Sequence, residues 1–282
     1  MQTLKVFGMM TALTLIVVGI GSYFGGSGGA VLAFVMAAAM NFGMYWFSDR
    51  AVLAMYKARK IGPDDAPELY RMVDRLRQQA GLPMPVVAIA ASEQPNAFAT
   101  GRNPEHAVVC MTAGILRLLP PRELEGVIAH ELAHIKHRHM LVGTIAATMA
   151  GAVAMIASIA RWGLLLGGVG GRDDRGNNPI ALLVMVIVAP LAAMIVQFAI
   201  SRQNEFQADA TAARITRDPS GLASALQHIE GYAQRIPMDV NPAAAQLAII
   251  NPLSGSGRAM IGLFRTHPET EDRIARLREI RV

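Results

Sequence analysis

The chain has 282 residues, 52% hydrophobic and 17% charged, with a mean hydropathy of +0.34, a net charge of +5 and one cysteine. It is too apolar for an ordinary soluble domain, which points to a membrane protein. The single Cys110 excludes an internal disulfide and a cysteine-rich zinc site, and the positive charge, with no basic run interleaved with aromatics, points to anionic lipid and not to nucleic acid.

Two uncharged runs open the chain, from Val6 to about Phe24 and from about Ala30 to Phe47, each near the ~20 residues that cross a bilayer. The glycine-rich turn from Gly25 to Gly29 is too short to hold a domain, so residues 1–47 read as a transmembrane hairpin. Lys5 ahead of an apolar run also fits a signal peptide. The longer apolar core and the immediate second span favour a retained helix.

From Ser48 to His139 the character is that of a soluble domain. Leu69, Met72, Val73 and Leu76 recur at helical spacing after Pro67, with Gly81 as a stop signal. Short β-branched runs at Pro85–Ala91 and Ala107–Met111 predict a small sheet. Pro120-Pro121 then opens a helix carrying His130-Glu131-Leu132-Ala133-His134. Two more uncharged runs, Met140–Ala160 and Ile180–Ile200, flank a glycine-rich loop, with Pro190 expected to kink the later one. Residues 140–200 thus read as a second transmembrane pair.

The tail, 201–282, is soluble again, with a helical segment after Asp218, a loop from Ile236 to Gly257 and a packing helix after Pro268 bearing Ile274, Leu277 and Ile280. The fold class expected is a mainly α membrane protein with a small β-sheet: four transmembrane helices plus a zincin-like cytoplasmic catalytic domain. All but three of the 26 Lys and Arg residues lie outside the 161–178 loop, which puts residues 48–139 and the tail in the cytoplasm.

Residues i and i+4 of a helix share a face, so His130 and His134 can both offer an imidazole to one zinc ion, while Glu131 points toward the water it activates. A catalytic zinc takes a third protein ligand. Glu205, in Ser201-Arg-Gln-Asn-Glu-Phe-Gln-Ala-Asp209, can supply it, and Asp209, one turn on, can accept the outer N–H of a ligand histidine. Both clusters begin within a few residues of a predicted span, which puts one zinc per chain close above the membrane surface.

His130-Glu-Leu-Ala-His134 between hydrophobic segments, Glu205-Phe-Gln-Ala-Asp209 and the late Thr266-His-Pro268 together resemble the HtpX-like membrane zinc metalloproteases, which are similar in their core to the CAAX prenyl endoproteases. The resemblance covers nearly the whole chain. It implies a gluzincin peptidase of the bacterial inner membrane, with zinc on His130, His134 and Glu205, acting in quality control of damaged membrane proteins under stress. Glu131 is then the general base for the activated water, and the resemblance points to His267 as donor to the charge developing on the scissile carbonyl.

Arg273 has two readings, orienting the site or forming a surface ion pair. Asn96-Ala97-Phe98 resembles the edge strand that pairs with extended substrate in zinc peptidases, with an ordinary polar loop as the alternative. Lys136, His137, Arg138 and His139 predict a solvated helix end facing lipid headgroups. Two rival functions stay open: an intramembrane zinc protease, disfavoured by Arg122, Glu123, Glu125, Lys136 and Arg138 around the motif, and a non-catalytic zinc-binding membrane scaffold. The oligomeric state is not legible.

Overall fold

The computed structural model describes residues 2–145, 202–233, 249 and 268–282. The predicted fourth span, the third beyond residue 145, the predicted glycine-rich loop, the predicted 236–257 loop apart from Ile249, and His267 lie outside the described residues.

Helix α1 (Gln2–Met55) is two helices folded back at Gly26, whose φ of 58° and ψ of −146° suit glycine alone. The two arms touch so closely that a Cβ on Gly29 would lie 2.2 Å from the Gly21 carbonyl oxygen, which is why the turn is built of glycine. Asn41 Nδ2 donates to Thr14 Oγ1 across the arms at 2.8 Å. Both arms are long and apolar enough to cross a membrane. Phe7, Leu15, Leu32, Phe34, Val35, Phe42, Trp46 and others project outward, and among the described residues nearly all exposed large apolar side chains belong to this hairpin. Such a surface requires lipid or protein around it. The second arm continues eight residues past Phe47 to Met55.

The rest of the described chain is built on a four-stranded mixed sheet of β1 (Ala58–Ile61), β2 (Val86–Ala90), β3 (Ala97–Thr100) and β4 (Val108–Thr112), in the order β1-β2-β4-β3. β2 and β4 are parallel; β1 and β3 are antiparallel edges. Side chains alternate across it. Val87, Ala97, Ala99, Val109 and Met111 face the main core, whereas Ala88, Ala90, Phe98, Val108 and Cys110 pack on Val52 and Leu53 at the end of the hairpin. Strand β1 escapes prediction because Ala-Arg-Lys-Ile has one buried side chain, Ile61.

On the main-core face lie α2 (Pro67–Ala80), the short α3 (Ala113–Leu118), α4 (Pro121–Lys136), α5 (Arg202–Thr216), α6 (Pro219–Ala233) and α7 (Thr270–Glu279). The predicted apolar face of α2 is buried through Leu69, Val73 and Leu76, and Gly81 ends it in the left-handed conformation (φ 70°). α4 is the central helix, touching β3, α2, α5 and α6. It meets α6 at closest range through Gly126, where a Cβ would stand 2.7 Å from Leu222 N.

The sequence predicts α4 running unbroken into the third apolar segment. Instead it stops at Lys136, with His137 as its cap and Arg138 left-handed at φ 58°, and a new helical stretch begins at 139. That stretch packs Leu141, Val142 and Ile145 on Val6, Leu13 and Met44 of the hairpin.

The expected solvated helix end is met in part: Lys136 and Arg138 are exposed, while His137 is half-buried and His139 buried. Lys136 Nζ caps the α2 carbonyl of Ala80 at 2.8 Å, His137 Nε2 lies 2.9 Å from Thr211 Oγ1, and His139 is only 7% exposed. Lys136, His137 and His139 each have a protein partner close by.

Candidate metal centre

α4 and α5 lie side by side. α4 presents His130 and His134 one turn apart, and α5 presents Glu205 opposite them. The Nε2 atoms of the two histidines are 3.0 Å apart, and Glu205 reaches them with Oε2 and Oε1 at 3.6 and 3.5 Å. One donor atom from each of the three lies within 4.8 Å of the others. Two imidazole nitrogens and a carboxylate oxygen, buried and converging, fit zinc in a catalytic site.

The supports of this cluster come from distant parts of the chain. Asp209 Oδ1 accepts from His130 Nδ1 at 2.9 Å, leaving Nε2 for a cation. Arg273 of α7 forks onto the same carboxylate, Nε to Oδ2 at 2.8 Å and Nη2 to Oδ1 at 2.7 Å. Its Nη1 donates to the Ile249 carbonyl at 2.9 Å and stands 3.7 Å from Glu205 Oε2. At 1% exposure Arg273 is a buried ion pair with Asp209 and not a surface one. Helical spacing puts Arg273 on the face of Leu277 (i+4) and Ile280 (i+7), which hints at burial but not at its partner.

Electrostatics separate the members. Burial drives His134 down to about 3. His130 would follow, but its hydrogen bonds to Asp209 and Glu205 outweigh burial and hold it up at about 9. Burial likewise works to raise Asp209, and the Arg273 guanidinium overrides it and keeps the carboxyl below its usual range. At Glu131 the charges of His130 and Arg273 do not override burial. Burial pushes it up to about 7, aided by the neighbouring Glu205 charge and opposed by His130 and by a hydrogen bond from the Ala99 backbone N–H.

That last bond ties α4 to β3. Because Thr112 N–H donates to the Asn96 carbonyl, alternation along an antiparallel pair turns Asn96, Phe98 and Thr100 toward β4 and the backbone groups of Ala97 and Ala99 away from it. The small side chains of Ala97 and Ala99 let α4 approach this edge. Asn96 itself is used internally: its Oδ1 accepts from Ile249 N at 3.1 Å, and its Nδ2 lies 3.5 Å from Tyr56 Oη.

The structure thus brings together Glu131, His130, His134, Glu205, Asp209 and the 96–98 stretch. Beyond these, the sequence does not single out Ala99, Gln207 or the burial of His139.

Residues 63–281 match the peptidase family M48. The chain is 56% identical to a Protease HtpX homolog of Gemmatimonas aurantiaca, covering 99% of each chain, and 52% identical to one of Desulfatibacillum aliphaticivorans, covering 95% of this chain and 86% of that one. Its fold is similar to that in the crystal structure of S. mikatae Ste24p, with a TM-score of 0.50 at 16% identity. This chain is covered to 98% in that superposition and spans 64% of Ste24p. With the family match spanning the His-Glu-His cluster and all its supports, and two HtpX homologues more than half identical along nearly the whole chain, the protein belongs to peptidase family M48, among its HtpX-like membrane metalloproteases.

Proposed function

We propose that the protein is a zinc-dependent endopeptidase that hydrolyses peptide bonds of misfolded or damaged membrane proteins at the cytoplasmic face of a bacterial inner membrane. The observation that carries this reading is the placement of Glu131. It is buried beside the His130–His134–Glu205 cluster, with its acidity tuned to about 7, and hydrogen-bonded to an edge strand whose other face rests on the hairpin.

Zinc held by His130, His134 and Glu205 would supply a Lewis acid that lowers the pKa of water to about 7 and polarises the scissile carbonyl. Glu131, with an acidity near ambient pH, takes the proton of the attacking water on its carboxylate and delivers it to the leaving amine. Asp209 keeps the proton of His130 on Nδ1, and Arg273 keeps Asp209 ionised. The outward backbone groups of β3 around Ala97 pair with extended substrate, which favours broad specificity because main-chain hydrogen bonds read no side chain. His267 is assigned as donor to the developing negative charge on the resemblance alone.

The location is supported from two sides. Lys and Arg concentrate on the proposed cytoplasmic side. Phe42, Tyr45, Trp46 and Phe47 cluster near the inner end of the second arm, with Arg50 over Phe47 and Arg102, two residues past β3, 4.5 Å over Trp46, as interfacial aromatics do. The edge strand therefore stands at headgroup level, where an extended segment of a failing membrane protein emerges.

The test is Glu131→Gln in detergent or liposomes, which should keep zinc and lose cleavage of an unfolded substrate such as casein. Glu205→Ala should lose the zinc. Cleavage by the first variant at the unmodified rate removes Glu131 as base, and full zinc content in the second removes Glu205 as ligand.

A further inference from the structure

We infer that His139 is a positioning residue of the metal centre, accepting the outer N–H of His134 and, through Gln207, locking the tautomer in which His134 turns Nε2 to the cation. The inference rests on the zinc reading above. Its starting point is an asymmetry: His130 has Asp209 behind its Nδ1, while no carboxylate stands behind His134 among the described residues. What stands there is another imidazole, with Nδ1 of His139 3.3 Å from Nδ1 of His134.

Donor and acceptor roles along this chain of contacts can be assigned in one consistent direction. A histidine that offers Nε2 to a metal carries its proton on Nδ1. The His134 Nδ1–H then donates to His139 Nδ1, which leaves the His139 proton on Nε2. Gln207 hydrogen-bonds the His139 ring, and its amide nitrogen lies 3.4 Å from His137 Nδ1. With that amide N–H donating to His137 Nδ1, the Gln207 carbonyl oxygen is the group left to accept from His139. His137 in turn holds its proton on Nε2, 2.9 Å from Thr211 Oγ1. Each ring N–H in this chain thereby meets one acceptor, from His134 through to Thr211 Oγ1.

The backbone is shaped for this contact. Five residues along an unbroken helix, at about 100° each, would carry residue 139 well off the face that holds His134. The stop after Lys136 and the left-handed turn at Arg138 (φ 58°) bring the ring back, so that the centroids of His134 and His139 are 5.3 Å apart at 68°. Gln207 and Thr211 are one turn apart on α5, on the same helix that bears Glu205 and Asp209. The Glu205-Phe-Gln-Ala-Asp209 run thereby serves both histidines: Asp209 directly, Gln207 through His139.

Full-length protein in detergent is tested by chelator-competition titration with Zn2+ and by the visible spectrum of the Co2+-loaded form. His139→Phe keeps the ring volume and removes the acceptor; zinc affinity should fall about ten- to hundredfold and the cobalt bands should shift. His139→Asp, which restores an acceptor, should recover affinity to within a few-fold. Gln207 is exposed, so Gln207→Ala leaves folding intact and should cost a smaller, several-fold loss.

Unmodified zinc affinity and cobalt spectrum in His139→Phe overturn the proposal. If that variant does not fold, unchanged affinity in Gln207→Ala together with no advantage of His139→Asp over His139→Ala overturns it. Failure of the zinc reading shows separately, as an unmutated protein that binds no zinc or a Glu205→Ala variant that binds it normally.

Discussion

Replacing Asp209 by Asn tests whether the metal centre depends on an ion pair contributed by the last helix. The substitution keeps the side chain's shape and removes its charge. Asp209 is 3% exposed and Arg273 1%, joined by two bonds of 2.7 and 2.8 Å, so the change strands a buried guanidinium whose other anion, Glu205, stands 3.7 Å away. Breaking a buried pair by removing one partner costs about 3–5 kcal/mol. At about 2–4 °C per kcal/mol for a chain of this size, the melting temperature in detergent should fall by roughly 10 °C. Zinc affinity should drop about ten- to hundredfold, because the His130 N–H loses a charged acceptor. In Asp209→Asn/Arg273→Met no charge is stranded, so much of the lost stability should return while zinc affinity stays low. Thermal unfolding with chelator present and zinc competition read the two quantities apart. If the single losses simply add in the double variant, to within about 0.5 kcal/mol, the two residues do not act as a pair and the reasoning fails.

Three further outcomes are expected. Glu131 works as a base only when ionised and burial lifts it to about 7, so kcat/KM should fall on the acid side of neutrality, approaching tenfold per pH unit. Since the Ala99 N–H lowers that pKa, Ala99→Pro should move the acid limb to higher pH; an unchanged profile would separate Glu131 from the limb. Gly126→Ala places a methyl 2.7 Å from Leu222 N, an overpacking worth about 1–3 kcal/mol, and an unaltered melting temperature would refute the close approach of α4 and α6. Asp218 accepts from Gly221 N at 3.2 Å at the start of α6 and pairs with Arg122 at 2.5 Å, so Asp218→Ala should cost about 1 kcal/mol in a denaturation series, largely through the lost cap.

The parts of the site legible in the sequence are those whose chemistry is local. His130 and His134 are four apart on one helix and Glu205 and Asp209 four apart on another, so spacing alone displays each pair. Strands β2 and β4 are legible because they are short, β-branched and bounded by turn residues. Arg273 and His139 are different in kind. A buried arginine and a surface one have the same letter, and only the fold brings the α7 guanidinium to a carboxylate 64 residues earlier. The break after Lys136 leaves no proline or glycine to mark it, since Arg138 takes the left-handed conformation itself, and with the break unseen His139 projects to the wrong face.

Those two residues also show why the site sits where it does. One histidine is steadied from the C-terminal helix, through Asp209 and Arg273. The other is steadied from the first residue of the helical stretch that packs on the hairpin, through His139. Thr144 on that same stretch lies 3.0 Å from Thr100 Oγ1 at the end of β3, and the opposite face of the sheet rests on Val52 and Leu53. The hairpin thus packs both on the sheet that carries the edge strand and on the helical stretch that begins at His139. The left-handed turn at Arg138 joins α4 to this stretch, with His137 and His139 on either side of it, so both neighbours of the turn face α5 or the metal centre.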